Sequence, residues 1–154
     1  MFANCDYSFS MNSVSLTYKA EDESHGELAA KLRCGEFSGR GSAWFNISQV
    51  EEFAQSIGRY PIEADSAPLL ESGFWKDDGT LDQVHFRIQI KPIGQRGMLS
   101  ASVQLAATEM STGVSSEIRV EFPVIYGDLA RFQSSLLSHL NGQATEAILE
   151  QSLS

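Results

Sequence analysis

Three features of the sequence predict an α+β fold: an antiparallel β-meander of about six to eight strands, packed with two amphipathic helices. Apolar and polar residues alternate over several separate stretches, Asp-Gly and Gly-containing turn signals lie between them, and two segments carry apolar residues at helical spacing. With 154 residues, of which 42% are hydrophobic, the chain suffices for one core but not for two. The expectation is a single domain over residues 1–154, with 143–154 as a loosely attached tail.

Residues 13–20 alternate Val14, Leu16 and Tyr18 with polar neighbours, as a half-buried strand does. Glu21-Asp22-Glu23 with Ser24, His25 and Gly26 reads as a turn. Two strands follow at 27–34 and 36–45, where Phe37, Trp44 and Phe45 supply aromatic bulk. Ser38-Gly39-Arg40-Gly41-Ser42 lies between the aromatics, and its glycines suit tight or positive-φ geometry. A helix is expected at 48–58: Ser48 and Glu51 have capping-box spacing, and Val50, Phe53, Ala54 and Ile57 form one face. Gly58 and Pro61 mark its end.

The meander runs from Leu69–Lys76 through the Asp77-Asp78-Gly79-Thr80 hairpin signal into Leu81–Ile93. There Val84, Phe86, Ile88 and Ile90 face one way, and His85, Arg87, Gln89 and Lys91 the other. Leu99, Ala101, Val103 and Leu105 repeat the alternation, as do Ile118, Val120, Phe122 and Val124, so the sheet has one wet face. A second helix is expected at 128–140 on Leu129, Phe132, Leu136, Leu137 and Leu140, ended by Asn141-Gly142. A short helix through Ala147, Ile148 and Leu153 closes the chain. Val50-Glu51-Glu52-Phe53 and Leu129-Ala130-Arg131-Phe132 form an internal echo, each at the head of a helix that ends a set of strands.

Chemical motifs are scarce. His25, His85 and His139 are dispersed, and HxxxH, HExxH and CxxC do not occur, so no metal or other cofactor is expected. His85 falls on the polar face of a strand; His139, near a helix C-terminus, reads as a surface histidine favoured by the helix dipole. There is no GxSxG elbow and no GxGxxG or GxxxxGK phosphate loop. Cys5 and Cys34 are too few for a disulfide scaffold and read as free thiols, with Cys34 a small buried hydrophobe. The first residues show no basic segment followed by an apolar run, and no stretch is apolar enough to span a bilayer. A cytosolic protein with no membrane partner is expected.

Charge is the exception to this blandness. The formal net charge is −9. Residues 1–82 carry 14 acidic and 6 basic residues, against 6 and 5 in 83–154. Clustered Lys and Arg, which phosphate-backbone binding needs, are not evident, so no nucleic-acid partner is expected. Glu63, Asp65, Glu71, Asp77, Asp78 and Asp82 outweigh Lys76 within 61–82. They mark either a solvated hairpin edge protected by charge or a docking face for a basic protein. Trp75 beside them is a candidate anchor; alternation places Phe74 and Trp75 on opposite faces, one in the core and one exposed. The candidate protein-binding set is therefore Glu63, Asp65, Glu71, Trp75, Asp77, Asp78 and Asp82, with no catalytic residue.

Three stretches resemble the WapI-type immunity proteins of bacterial polymorphic toxin systems. They are Phe37-Ser38-Gly39 with Trp44 and a helix bearing Phe53, the central meander, and the closing strand through Gly127-Asp128-Leu129 into a helix bearing Phe132. The resemblance spans roughly residues 30–140. It implies a non-enzymatic protein that binds and blocks a cognate toxin domain, with Phe37, Gly39, Trp44, Phe53, Leu129 and Phe132 as scaffold. The partner would be that toxin or another basic protein, and the chain a monomer or homodimer. The alternatives are a housekeeping interaction or small-ligand domain, marked by a closed apolar cavity, and an enzyme using His85 or His139 with a nearby carboxylate.

Overall fold

The computed structural model describes residues 12–94 and 96–152, so Cys5 and Leu153 lie outside the described residues. In chain order it contains strands β1 (Ser13–Ala20), β2 (His25–Cys34) and β3 (Phe37–Asn46), helix α1 (Ile47–Ser56), strands β4 (Leu69–Trp75), β5 (Leu81–Ile93), β6 (Met98–Thr108) and β7 (Ser115–Val124), helix α2 (Tyr126–Leu140), and strand β8 (Ala147–Glu150). The α+β class expected from the sequence stands. The strands divide, however, into two four-stranded antiparallel sheets, ordered β3-β2-β1-β8 and β4-β5-β6-β7.

The sheets pack face to face. Each strand's inward residues, such as Val14 and Leu16, Leu28, Ala30 and Leu32, Phe86, Ile88 and Ile90, and Val103 and Leu105, join one contiguous buried cluster. Phe45 of β3 meets Phe86 of β5 edge-on, with ring centroids 5.3 Å apart, a favoured aromatic geometry. Both helices add to the same cluster through Val50, Phe53 and Ala54, and through Leu129, Phe132 and Leu136. The rings of Phe53 and Phe132 touch at 6.4 Å, so the two echoed sequence motifs meet in space.

The segment Ser38–Ser42 is not a turn. Gly39 and Gly41 sit in the middle of β3 in register with Leu32 and Ala30, and neither has a positive φ. Their role is close approach. A Cβ on Gly39 would lie 2.9 Å from a methyl carbon of Ile118, and one on Gly41 would lie 3.0 Å from the Cβ of Leu105. Register also overturns the scaffold reading of two aromatics. Phe45 takes the inward position, which turns Trp44 outward at 55% exposure, and Phe37 at the strand's start is 69% exposed.

The helix ends differ from expectation in detail. α1 begins one residue before Ser48; Asn46 is the cap residue, its amide donating to the Gln49 side chain at 2.9 Å. Gly58 is not a left-handed terminator: it leaves room for the Gln133 amide, which donates to the Ala54 carbonyl at 2.8 Å and ties the helices together. In α2 the buried carboxylate of Asp128 folds back to accept the Ile125 amide at 3.0 Å and pairs with Arg131, a favourable place for negative charge in a first helical turn.

Among the described residues the tail is neither helical nor loose. Residues 147–150 form β8, which pairs with β1 from Leu16↔Ala147 to Ser13↔Glu150, and Ala147 and Leu149 are fully buried. The pairing stops at Leu16, and His139 continues it. Its Nε2 accepts the Tyr18 amide at 2.8 Å and its Nδ1 donates to the Ala144 carbonyl at 2.9 Å. An amide can only donate and a carbonyl can only accept, so these bonds require the neutral Nδ1–H tautomer. His139 is thus a half-buried latch between α2, β1 and the β8 approach, not a surface cation.

Phe53→Ala and Phe132→Ala are each expected to cost about 3–5 kcal/mol, measured by urea denaturation; an unchanged midpoint would refute the helix-to-core packing. Gly41→Val, forced against Leu105, is expected to cost about 1–3 kcal/mol in the same assay.

Candidate functional site

α1 presents Val50, Phe53 and Ala54 to the core and leaves Glu51, Glu52 and Gln55 in solvent. The chain then descends through buried Ile57 and Ile62, where the Ile62 amide donates to the Tyr126 hydroxyl at 3.0 Å. It reaches β4 at Pro68, whose carbonyl accepts the Ile90 amide. Between α1, this connector and β4 lies an open groove of about 490 Å³, lined among others by Glu52, Phe53, Arg59, Leu70, Glu71 and Trp75.

Simple alternation fails at the end of β4. The β4–β5 register shifts between Ser72 and Gly73 and again between Phe74 and Trp75, a pair of irregularities that re-aims the side chains. Gly73 permits the first: a Cβ there would lie 1.9 Å from the Gln83 carbonyl oxygen. Phe74 and Trp75 are consequently both exposed, at 38% and 51%, rather than one buried and one free. Phe74 lies against the His85 ring at 4.4 Å, and Trp75 stands on the rim of the groove.

The seven residues singled out from the sequence fall into three groups. Glu71 and Trp75 line the groove. Asp77, Asp78 and Asp82 belong to the β4–β5 hairpin, and Glu63 and Asp65 to the exposed connector. Two of the carboxylates are already engaged. Glu71 takes Arg87 across the strand pair, with Nη2 at 2.7 Å and Nε at 2.8 Å. Asp78 accepts the Thr80 hydroxyl at 2.6 Å and amide at 2.9 Å, which holds its carboxyl below the usual value and braces the turn at Gly79, where φ is +88°. The side chains of Glu63, Asp65, Asp77 and Asp82 have no partner among the described residues and remain free to meet one. The sequence reading missed Gln49, Glu52, Ser56 and Arg59 of the opposite wall. The signal was present in the polar face of α1, but which strand that face would overlook was not.

The other reactive groups have structural surroundings. His85 meets Gln83 Oε1 at 3.4 Å, Thr108 Oγ1 at 3.3 Å and the Phe74 ring; among the described residues its hydrogen-bond partners include no carboxylate. Cys34 is half-buried against the core, and burial raises its thiol pKa, which disfavours the nucleophilic thiolate. Among the described residues no group of three or more His, Cys, Asp or Glu is placed to hold a metal ion, and no helix is long and apolar enough to cross a membrane.

No protein-family model and no curated protein matches the chain. Among solved structures, the crystal structure of WHY3 from Arabidopsis thaliana aligns over 86% of this chain and 82% of that one, at 13% identity and a TM-score of 0.39. The expectation that excluded a nucleic-acid partner does not stand. The physical weakness of that exclusion is that net charge sums over the whole surface and does not describe each face. A likeness at this TM-score carries no argument for what this chain binds.

Asp78 sets a pH dependence with a definite sign. Its folded pKa lies below the ordinary 3.8, so its contribution is present above that value and fades as pH falls through the lower, folded one. Asp78→Ala is expected to lower the urea midpoint at neutral pH, and the gap from the parent protein is expected to close in strong acid. A gap independent of pH would assign the loss to something other than the carboxylate.

Proposed function

We propose that this chain is a non-enzymatic protein-binding module that docks a basic protein on the surface built by α1, the connector and the β4–β5 hairpin. The observation that carries this reading is Trp75, half in solvent on the rim of a groove that Glu52 and Glu71 also line. Residues 49–82 supply Glu51, Glu52, Glu63, Asp65, Glu71, Asp77, Asp78 and Asp82 against Arg59 and Lys76. Exposed tryptophan is a common energetic anchor of interfaces, and an excess of negative charge on the same segment raises the encounter rate with a basic surface and selects against acidic ones.

In its specific form, the partner is the toxin domain of a bacterial polymorphic system, which this protein neutralises in the cytosol by covering a basic working surface. That form is supported by the resemblance to WapI-type immunity proteins and by the charge of the docking face.

The test is co-expression with the C-terminal domain encoded by the reading frame just upstream in the source genome, counting surviving cells. Relief of toxicity is expected, lost in the Asp77→Lys/Asp82→Lys variant. Trp75→Ala is expected to weaken the purified complex about 30-fold, or about 2 kcal/mol. A harmless neighbour, or toxicity that this chain does not relieve, would refute the immunity form; a complex indifferent to all three substitutions would refute the docking face.

A further inference from the structure

The outward face of the first sheet has an unusual charge distribution for a protein of net charge −9. Residues paired in register share a face, so the outward side of the first sheet carries Lys19, Lys31, Arg33 and Arg40, four of the chain's eleven Lys and Arg residues. Lys31 and Arg40 stand directly opposite one another, a like-charge pairing that disfavours the sheet. Two carboxylates share this face: Glu27, which accepts the Ser42 hydroxyl at 2.9 Å, and Glu150, in register with Ser13.

The same strand has an open edge. Among the described residues β3 pairs with β2 alone; at one end of this edge the Trp44 carbonyl points away from β2 and is taken by the Ser72 hydroxyl of β4 at 3.0 Å. Backbone direction alternates along a strand, so the N–H and C=O groups of Ser42, Arg40 and Ser38 point to that free edge as well. The other three edges are blunted: β4 is short and twice shifted in register, β8 has four residues, and β7 carries Glu117, Arg119, Glu121 and Pro123. Such devices prevent unwanted strand addition, and β3, with its glycines and a single charge, has none of them. Beside it runs a groove of about 230 Å³ lined by Ser38, Gly39, Arg40, Leu105, Ala107 and Ile118, among others.

We propose that the β3 edge takes an extended segment of a partner protein that alternates acidic and small apolar residues. The segment adds as a strand to Ser38, Arg40 and Ser42. Its acidic side chains lie on the outward face against Arg40 and Lys31, and its apolar ones turn into the groove toward Leu105 and Ile118. Edge-to-edge pairing with a second copy is disfavoured because it would bring two Arg40–Lys31 rows together.

The probe is a fluorescent octapeptide alternating glutamate and valine, titrated by anisotropy, with lysine–valine and single-stranded oligothymidylate probes alongside. Binding of the acidic peptide is expected, weakened at least about tenfold, or about 1.4 kcal/mol, by Lys31→Glu/Arg40→Glu. Ser42→Pro, which removes an edge N–H without changing charge and is tolerated at a sheet edge, is expected to give the same loss. The amides of Ser38, Arg40 and Ser42 are expected to gain protection from hydrogen exchange on binding. Circular dichroism and urea midpoints report whether each variant folds; if Ser42→Pro does not, amide protection in the unaltered protein decides the backbone role. No binding, binding without amide protection, tighter binding of oligothymidylate to the same residues, or a concentration-dependent dimer abolished by Arg40→Glu would each overturn the proposal.

Discussion

The structure depends on how closely β3 can lie over β6 and β7. Two sheets of four strands share one core only if their inner faces meet without a gap, and here Gly39 and Gly41 leave the space that Ile118 and Leu105 fill. Phe45 then reaches Phe86 from the same strand. A larger side chain at either glycine would push the sheets apart along a line that ends at those two rings, and packed interiors do not absorb such shifts without cost.

The two halves answer each other in a rotated order. Strands β4 to β7 form a meander whose last strand leads into α2, and β8, β1, β2 and β3 occupy the corresponding places in the other sheet, with β3 leading into α1. The short terminal strand therefore does for the first sheet what β4 does for the second, and the helix that precedes each of them packs against the other at Phe53 and Phe132. This arrangement explains why residues 147–150 are integral to the domain. The first sheet is incomplete without them, and His139 completes the β1 ladder where β8 ends.

The charge of the molecule divides along the same architecture. Carboxylates collect on α1, the connector and the β4–β5 hairpin, while cations gather on the outer face of the first sheet. Exposed charges further apart than a Debye length of about 8 Å are largely screened from one another at physiological salt, so each cluster presents its own sign to what approaches. A formal charge of −9 describes neither.

Periodicity was sufficient for strands β1 to β7, the two helices and most of the core, because burial of one face imposes a repeat of two or 3.6 that is written directly in the residues. The positions of Val84, Phe86, Ile88 and Ile90, or of Leu129, Phe132 and Leu136, could be read without coordinates. So could the acidic bias of residues 61–82 and the Asp-Gly turn. Other features depended on contacts between residues far apart in the chain. A glycine in mid-strand and a glycine in a turn look alike until Leu105 and Ile118 are seen to need the space. Alternation placed one of Phe74 and Trp75 inside, and a register shift permitted by Gly73 put both outside. Residues 147–150 are too few to declare a strand on their own, and they are one because β1 offers an unpaired edge. The groove beside Trp75 belongs to α1 as much as to β4, and only their packing brings Glu52 and Arg59 opposite it, since distance along the chain carries no information about which faces will meet.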